Sequence, residues 1–240
     1  MSATSSEIGR QMADALTAEL VLRADPARAA GQQRYMKSAL PFHGLTAPQV
    51  RAVVNTVVAA HPSAGRDEWL ATVRTVWDRA THREDRYAAL GLLRHRRYRD
   101  WARVADDALI GLLRHLITTG AWWDLVDDAS HVVGALLQAD RPVMTPLLRA
   151  WSREPDLWLR RSAIISQLGA RAATDRDLLA YAIEGSIDDA DFFARKAIGW
   201  ALREYSKTDP AWVRGYLDAQ APRLSPLSRR EALKWLQRTR

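Results

Sequence analysis

The 240 residues suffice to bury a sizeable core, in one large domain or two small ones, and the lack of cysteine excludes disulfides and thiolate metal sites. The stretch Met1–Arg10 carries no apolar leader and no run approaches a membrane span, so a soluble, cytoplasmic protein is expected. Lysine and arginine number 35 against 28 acids, a net charge of +7 that favours a polyanionic partner, nucleic acid ahead of membrane.

No segment alternates like a strand, whereas apolar spacing near about 3.6 residues runs almost from end to end. Helices are predicted near 5–20, read as peripheral, and 27–39. Thr46 with Pro48 close behind reads as an N-cap and opens 47–61; periodicity then predicts 66–80, 84–96, 100–117 and 121–138. Asp140 with Pro142 opens 142–152, then comes 156–169, and Thr174 with Asp177 fits a capping-box variant before 174–185. The last helices are 190–206, 210–219 behind Asp209-Pro210, and 226–238 behind Ser225-Pro226, with proline at the first helical position. Helix pairs recur at roughly 35–40 residues without a shared consensus, the period of HEAT-like repeats. The expected fold is all-α: a single domain over residues 1–240, a curved HEAT-like solenoid with a concave basic face suited to an elongated ligand.

Three helices carry residues that do not look like core. In 121–138 the apolar stripe is Trp122, Leu125, Val126, Ala129, Val132, Val133, Leu136 and Leu137. Trp123 and Asp127, four apart, share a different face, and Gly134 on the same line leaves room for something bulky to approach. In 157–169 Arg161 falls in the middle of the line Leu157, Ile164, Leu168, so its guanidinium is either paired inside or reaches a groove holding an anion. In 192–205 a strip of Arg195, Lys196, Gly199 and Arg203 runs beside Trp200. Such a strip suits a phosphate backbone with a sugar or base alongside, and equally a solvated face bordering a core tryptophan.

Other features say less. Only Lys37, Lys196, Lys207 and Lys234 are lysines, an arginine bias that high genomic GC content also produces. Arg94-His-Arg-Arg97 is a basic patch for phosphate or a solvated helix end. His95, His115 and His131 lack a second ligand at metal spacing, and no HExxH, P-loop, Rossmann or G-x-S-x-G pattern occurs, so no metal is expected. Of the ten tryptophans, Trp69, Trp77, Trp101, Trp151, Trp158, Trp212 and Trp235 fit core or repeat-interface positions.

Several blocks together resemble the AlkD-type DNA alkylation repair glycosylases, built from HEAT-like repeats. They are Tyr35-Met-Lys-Ser-Ala-Leu-Pro-Phe-His-Gly-Leu45, Trp122-Trp-Asp-Leu-Val-Asp127, Trp158-Leu-Arg-Arg-Ser-Ala-Ile164, Phe192 through Lys207, and Leu224 through Lys234. They occur in family order from about Ala30 onward; His43 departs from it, where a more apolar residue is expected. The resemblance implies excision of cationic N3- and N7-alkylated purines from duplex DNA, with no cofactor, by a division of labour among four side chains. The family's two tryptophans fall on Trp123 and Trp200, its aspartate on Asp127, and its arginine on Arg161 rather than Arg160. Tyr35 would contribute to DNA contact, with Lys37, Arg160, Lys196 and Arg203 as further DNA-binding positions.

That chemistry needs these residue types. A cationic purine leaves without a general acid, and a carboxylate at Asp127 would stabilise the oxocarbenium-like sugar and orient water. Trp123 and Trp200 would flank sugar and lesion through cation–π contact, and Arg161 would grip the adjacent phosphate. An open groove rather than a deep base-flipping pocket is implied, acting as a monomer. Two rival readings are a binding-only relative and a HEAT-type protein-interaction scaffold; an acid facing DNA argues against the first, basic strips against the second.

Overall fold

The computed structural model describes residues 3–238. Among them are 13 α-helices and no strand: α1 (Ala3–Leu22), α2 (Pro26–Met36), α3 (Ala47–Ala60), α4 (Arg66–Asp78), α5 (Arg83–Leu93), α6 (Asp107–Gly120), α7 (Trp123–Ala139), α8 (Arg141–Trp151), α9 (Leu157–Ile165), α10 (Arg176–Glu184), α11 (Phe192–Tyr205), α12 (Pro210–Ala219) and α13 (Pro226–Leu236). No helix is long and apolar enough to cross a membrane.

The cap chemistry explains most boundaries. Thr46 and Gln49 form a capping box at α3, and the side chains of Asp140, Asp209 and Ser225 accept from Val143, Trp212 and Ser228 N–H at the starts of α8, α12 and α13. At α10 the cap is Asp175, which accepts from Leu178 N–H, and not the expected Thr174. The predicted 100–117 helix is shifted: 3-10 turns occupy Arg96–Tyr98 and Trp101–Arg103, and α6 begins only at Asp107. Asp106 accepts from Leu109 N–H at 3.0 Å and is gripped by Arg66, so α6 starts where a long-range partner holds its cap. It runs on to Gly120 through Thr118 and Thr119, whose hydroxyls bond back to the Arg114 and His115 carbonyls.

The chain packs as two compact units, Met1–Ala102 with Asp106–Leu112, and Arg103–Ala105 with Leu113–Arg240. In the first, α1 is no peripheral element: Met12, Leu16 and Leu20 are buried against the α3–α4–α5 layer, with Trp69 and Trp77 at its centre. In the second, α7 packs on α8 and α9, α9 on α11, and α11 on α13. Trp151 and Trp158 are buried there as expected, but Trp235 is 37% exposed, which excludes the core and leaves the repeat-interface alternative for it. The α7–α9–α11–α13 succession positions the residues singled out above.

Candidate functional site

The start of α7 is set by an aromatic anchor. Ala121 adopts φ +42°, and Trp122 is the extended N-cap residue, not a helical one as the periodicity had it. Its ring packs 5.3 Å from Phe193 and 6.3 Å from Trp158, which itself lies 5.2 Å from Phe193. That cluster ties the start of α7 to the first turns of α9 and α11 and leaves Trp123, at the first helical position, half-buried. Asp127 follows one turn on, on the same face.

The approach of α9 is fixed by Asp156, whose side chain accepts from Trp158 and Leu159 N–H, both at 2.9 Å. Ser130 of α7 meets Ser162 of α9 through their hydroxyls at 2.9 Å, inside the interface. One position earlier, Arg161 donates from Nε to Asp127 Oδ1 at 2.7 Å and from Nη2 to Oδ2 at 2.8 Å. Its Nη1 donates to the Phe193 carbonyl at 2.8 Å, so one planar guanidinium joins three helices. The side chains are 5% exposed for Arg161 and 14% for Asp127. Of the two alternatives for Arg161, the geometry selects internal pairing; a phosphate grip, as the family resemblance had it, does not suit a group so enclosed.

Burial pushes the Asp127 carboxyl above its ordinary range, and Asp124 adds to this, while the Arg161 hydrogen bonds and charge pull the other way. Beside it lies a recess of about 190 Å³ bounded by Asp127, His131, Gly134, Ser166, Leu168 and Gly169. Gly134 lines this recess, but a Cβ there would stand 2.6 Å from the Ser166 carbonyl oxygen, so its missing side chain serves the close approach of the chain after α9.

On α11 Trp200 is half-buried. Gly199 is no gap for a ligand: a Cβ would lie 2.4 Å from Glu231 Cβ and 2.9 Å from the Ser228 carbonyl oxygen, against α13. Of the basic strip, Arg195 donates to the Asp189 carbonyl at 2.7 Å, whereas Lys196 and Arg203 meet Glu231 of α13, 7% exposed, at 3.1 and 3.2 Å, and Lys234 joins them at 2.6 Å. Burial opposes ionisation of Glu231, but the Lys234 and Lys196 ammoniums prevail and hold its pKa below the ordinary value. Three cations on one acid leave an excess of positive charge, with Lys196 and Arg203 still 37% and 30% exposed. Sequence reasoning missed Glu231; its place in an otherwise polar helical turn three residues before Lys234 was the available signal.

The remaining expected positions divide. Arg160 is engaged throughout: it donates to the Glu154 and Pro155 carbonyls at 2.7 Å, to Asp189 at 2.8 Å and to Ser186 Oγ at 3.2 Å. Tyr35 is 79% exposed near the end of α2, and Lys37 is its exposed left-handed C-cap. Both lie in the first unit, whereas Trp123, Asp127, Arg161 and Trp200 lie in the second.

Comparison with known proteins bears on the family and the fold. The family model for DNA alkylation repair enzymes matches residues 16–236. A predicted DNA alkylation repair enzyme from Enterococcus faecalis is similar in structure, with a TM-score of 0.79 and 29% identity over 89% of this chain and 96% of that one. The crystal structure of smu.31 from Streptococcus mutans UA159 shares the fold at a TM-score of 0.60 and 15% identity, covering 78% of this chain and 92% of that one. No curated protein matches the sequence.

Proposed function

The chain belongs to the family of DNA alkylation repair enzymes, and from the Asp127 site we propose that it is a glycosylase that excises cationic N3- and N7-alkylated purines from duplex DNA. The observation that carries this reading is a carboxylate of restricted exposure, fixed by two hydrogen bonds from one guanidinium and bordering a recess. As the C1′–N bond breaks, its electron pair returns to the purine and neutralises it, while positive charge gathers on the deoxyribose. Asp127 stabilises that charge and orients the water whose oxygen bonds to C1′; the water's proton passes to the carboxylate and on to solvent. A carboxyl whose pKa is raised by burial is the better proton acceptor for it.

Arg161 acts through Asp127, as a positioning residue: the fork of its guanidinium fixes the plane of the carboxylate. Trp123 and Trp200 supply indole faces that attract a cationic lesion or sugar. The recess of about 190 Å³ is smaller than the ~300–1,000 Å³ of sites that engulf a small molecule, which supports a mode without a deep base pocket. The exposed Lys37 and Tyr35, with the partly exposed Lys196 and Arg203, supply contacts to the DNA backbone.

One observation favours a binding-only relative: Arg161 already neutralises Asp127 in a closed pair. Incubation with duplex containing N7-methylguanine separates the two. Release of the base, lost in Asp127→Asn, supports the glycosylase; tight binding without release supports the alternative.

A further inference from the structure

The first unit holds a cluster of metal-ligating side chains that the chemistry above does not use. His43 lies in the loop between α2 and α3, and His82 and Asp85 sit at the N-cap and first turn of α5. Each offers one ligand atom, and the three atoms lie within 4.8 Å of one another. The His43 and His82 rings stack at 3.7 Å, and His43 Nε2 stands 3.7 Å from Asp85 Oδ1. Those two atoms are buried and have no hydrogen-bond partner, in side chains only 5% exposed. They face each other beyond hydrogen-bond reach, so a ring nitrogen and a carboxylate oxygen are buried with their hydrogen-bonding capacity unused, an arrangement that a shared ion between them would satisfy.

The surroundings are built to hold this arrangement. Glu84, fully buried, accepts from the backbone N–H of His43, Gly44 and Leu45 at 2.9, 2.8 and 3.0 Å, and Arg83 N–H donates to the Pro41 carbonyl at 2.8 Å. Gly44 has φ +95°, and a Cβ there would meet the Asp25 carbonyl oxygen at 2.0 Å, so only glycine lets the loop lie this close. The other oxygen of Asp85 accepts from Thr81 and His82 N–H at 2.9 and 2.8 Å, which fixes the carboxylate and aims Oδ1 at His43. Thr81 Oγ1 lies 3.0 Å from His82 Nδ1, an outer partner able to set that ring's tautomer.

We propose that His43, His82 and Asp85 form a site for a divalent transition-metal ion of the zinc type, which fastens the α2–α3 loop to the start of α5. Two imidazoles and one carboxylate suit zinc and its neighbours, whereas magnesium and calcium prefer oxygen donors throughout. Ligand bonds of ~2.0–2.1 Å need neighbouring donor atoms about 3.3 Å apart, so the half-buried His82 ring turns inward on binding. The site belongs to the first unit and carries a structural role, independent of base excision.

The test uses the full chain stripped with a chelator. Calorimetric titration with Zn²⁺ should show one ion per chain, and Zn²⁺ at about 100 times its Kd should raise Tm by about 5–10 °C. One equivalent of Co²⁺ should give the intense visible bands of a low-coordinate site. His82→Ala and His43→Gln should each weaken Zn²⁺ binding by more than about tenfold, since loss of even an outer partner of a ligand costs that much. Unchanged binding in both variants would assign the ion to His61, His95, His115 or His131 and overturn the proposal. If a variant fails to fold, the wild-type spectrum decides: absence of visible Co²⁺ bands at one equivalent overturns it.

Discussion

Asp127→Asn tests the proposed chemistry most directly, and the structure sets two separate magnitudes for it. The amide keeps one oxygen for an Arg161 donor but turns an N–H toward the other, leaving a buried donor without an acceptor at about 1–3 kcal/mol of stability. The fold is thus weakened, because the carboxylate is half of an enclosed pair. The catalytic loss is larger: removing one preorganised group facing the developing charge costs about 3–4 kcal/mol, roughly two to three decades in rate. The two are separated by single-turnover release of N7-methylguanine, measured well below the variant's Tm. Val133→Ala serves as a control, because it removes fully buried methyl groups from the same helix and leaves the carboxylate untouched. The control should release base at nearly the wild-type rate. A folded Asp127→Asn variant that does the same would refute the role given to Asp127.

The remaining predictions concern the groups around it. Because burial raises the Asp127 pKa, the acid limb of the rate profile should lie above the ~3.9 of an ordinary aspartate, with activity present above that limb and lost below it. The same shift makes the folded state bind this proton more tightly than the unfolded one, so this group's contribution to stability is full at low pH and declines as pH rises through the folded-state pKa; a pH–rate profile and melting curves read the two. Arg161→Ala should lower stability by about 3–5 kcal/mol while leaving the salt dependence of DNA binding unchanged; a slope reduced by about one unit would show a phosphate contact instead. Leucine at Trp123 or Trp200 should slow release of a cationic N7-alkylguanine more than phenylalanine does, each ring contributing about 0.5–2 kcal/mol, and uracil should be a poor substrate for the wild type. Efficient uracil excision would contradict that account. Gly199→Ala should destabilise the α11–α13 contact by about 1–3 kcal/mol in thermal melts, since its Cβ would meet Glu231 Cβ at 2.4 Å.

What the sequence determined by itself is local. The starts of α3, α8, α12 and α13 were legible because a cap and the backbone N–H it accepts from lie within one turn, and the helix count followed from a periodicity that each segment carries alone. Trp123 and Asp127 were legible as anomalies for the same reason, since a face is a property of one helix. Their meaning was not. Whether Arg161 paired inward or reached a phosphate depended on Asp127, 34 positions away, and Gly199 became a packing residue only when Glu231 and Ser228 came to lie against it. Likewise His43 is an apolar position gone polar in the sequence, and a candidate ligand only once α5 brings His82 and Asp85 alongside. Tertiary structure decided these points because a buried charge, a missing Cβ or an orphaned nitrogen takes its role from the group facing it, and that group is chosen by packing between helices far apart in the chain.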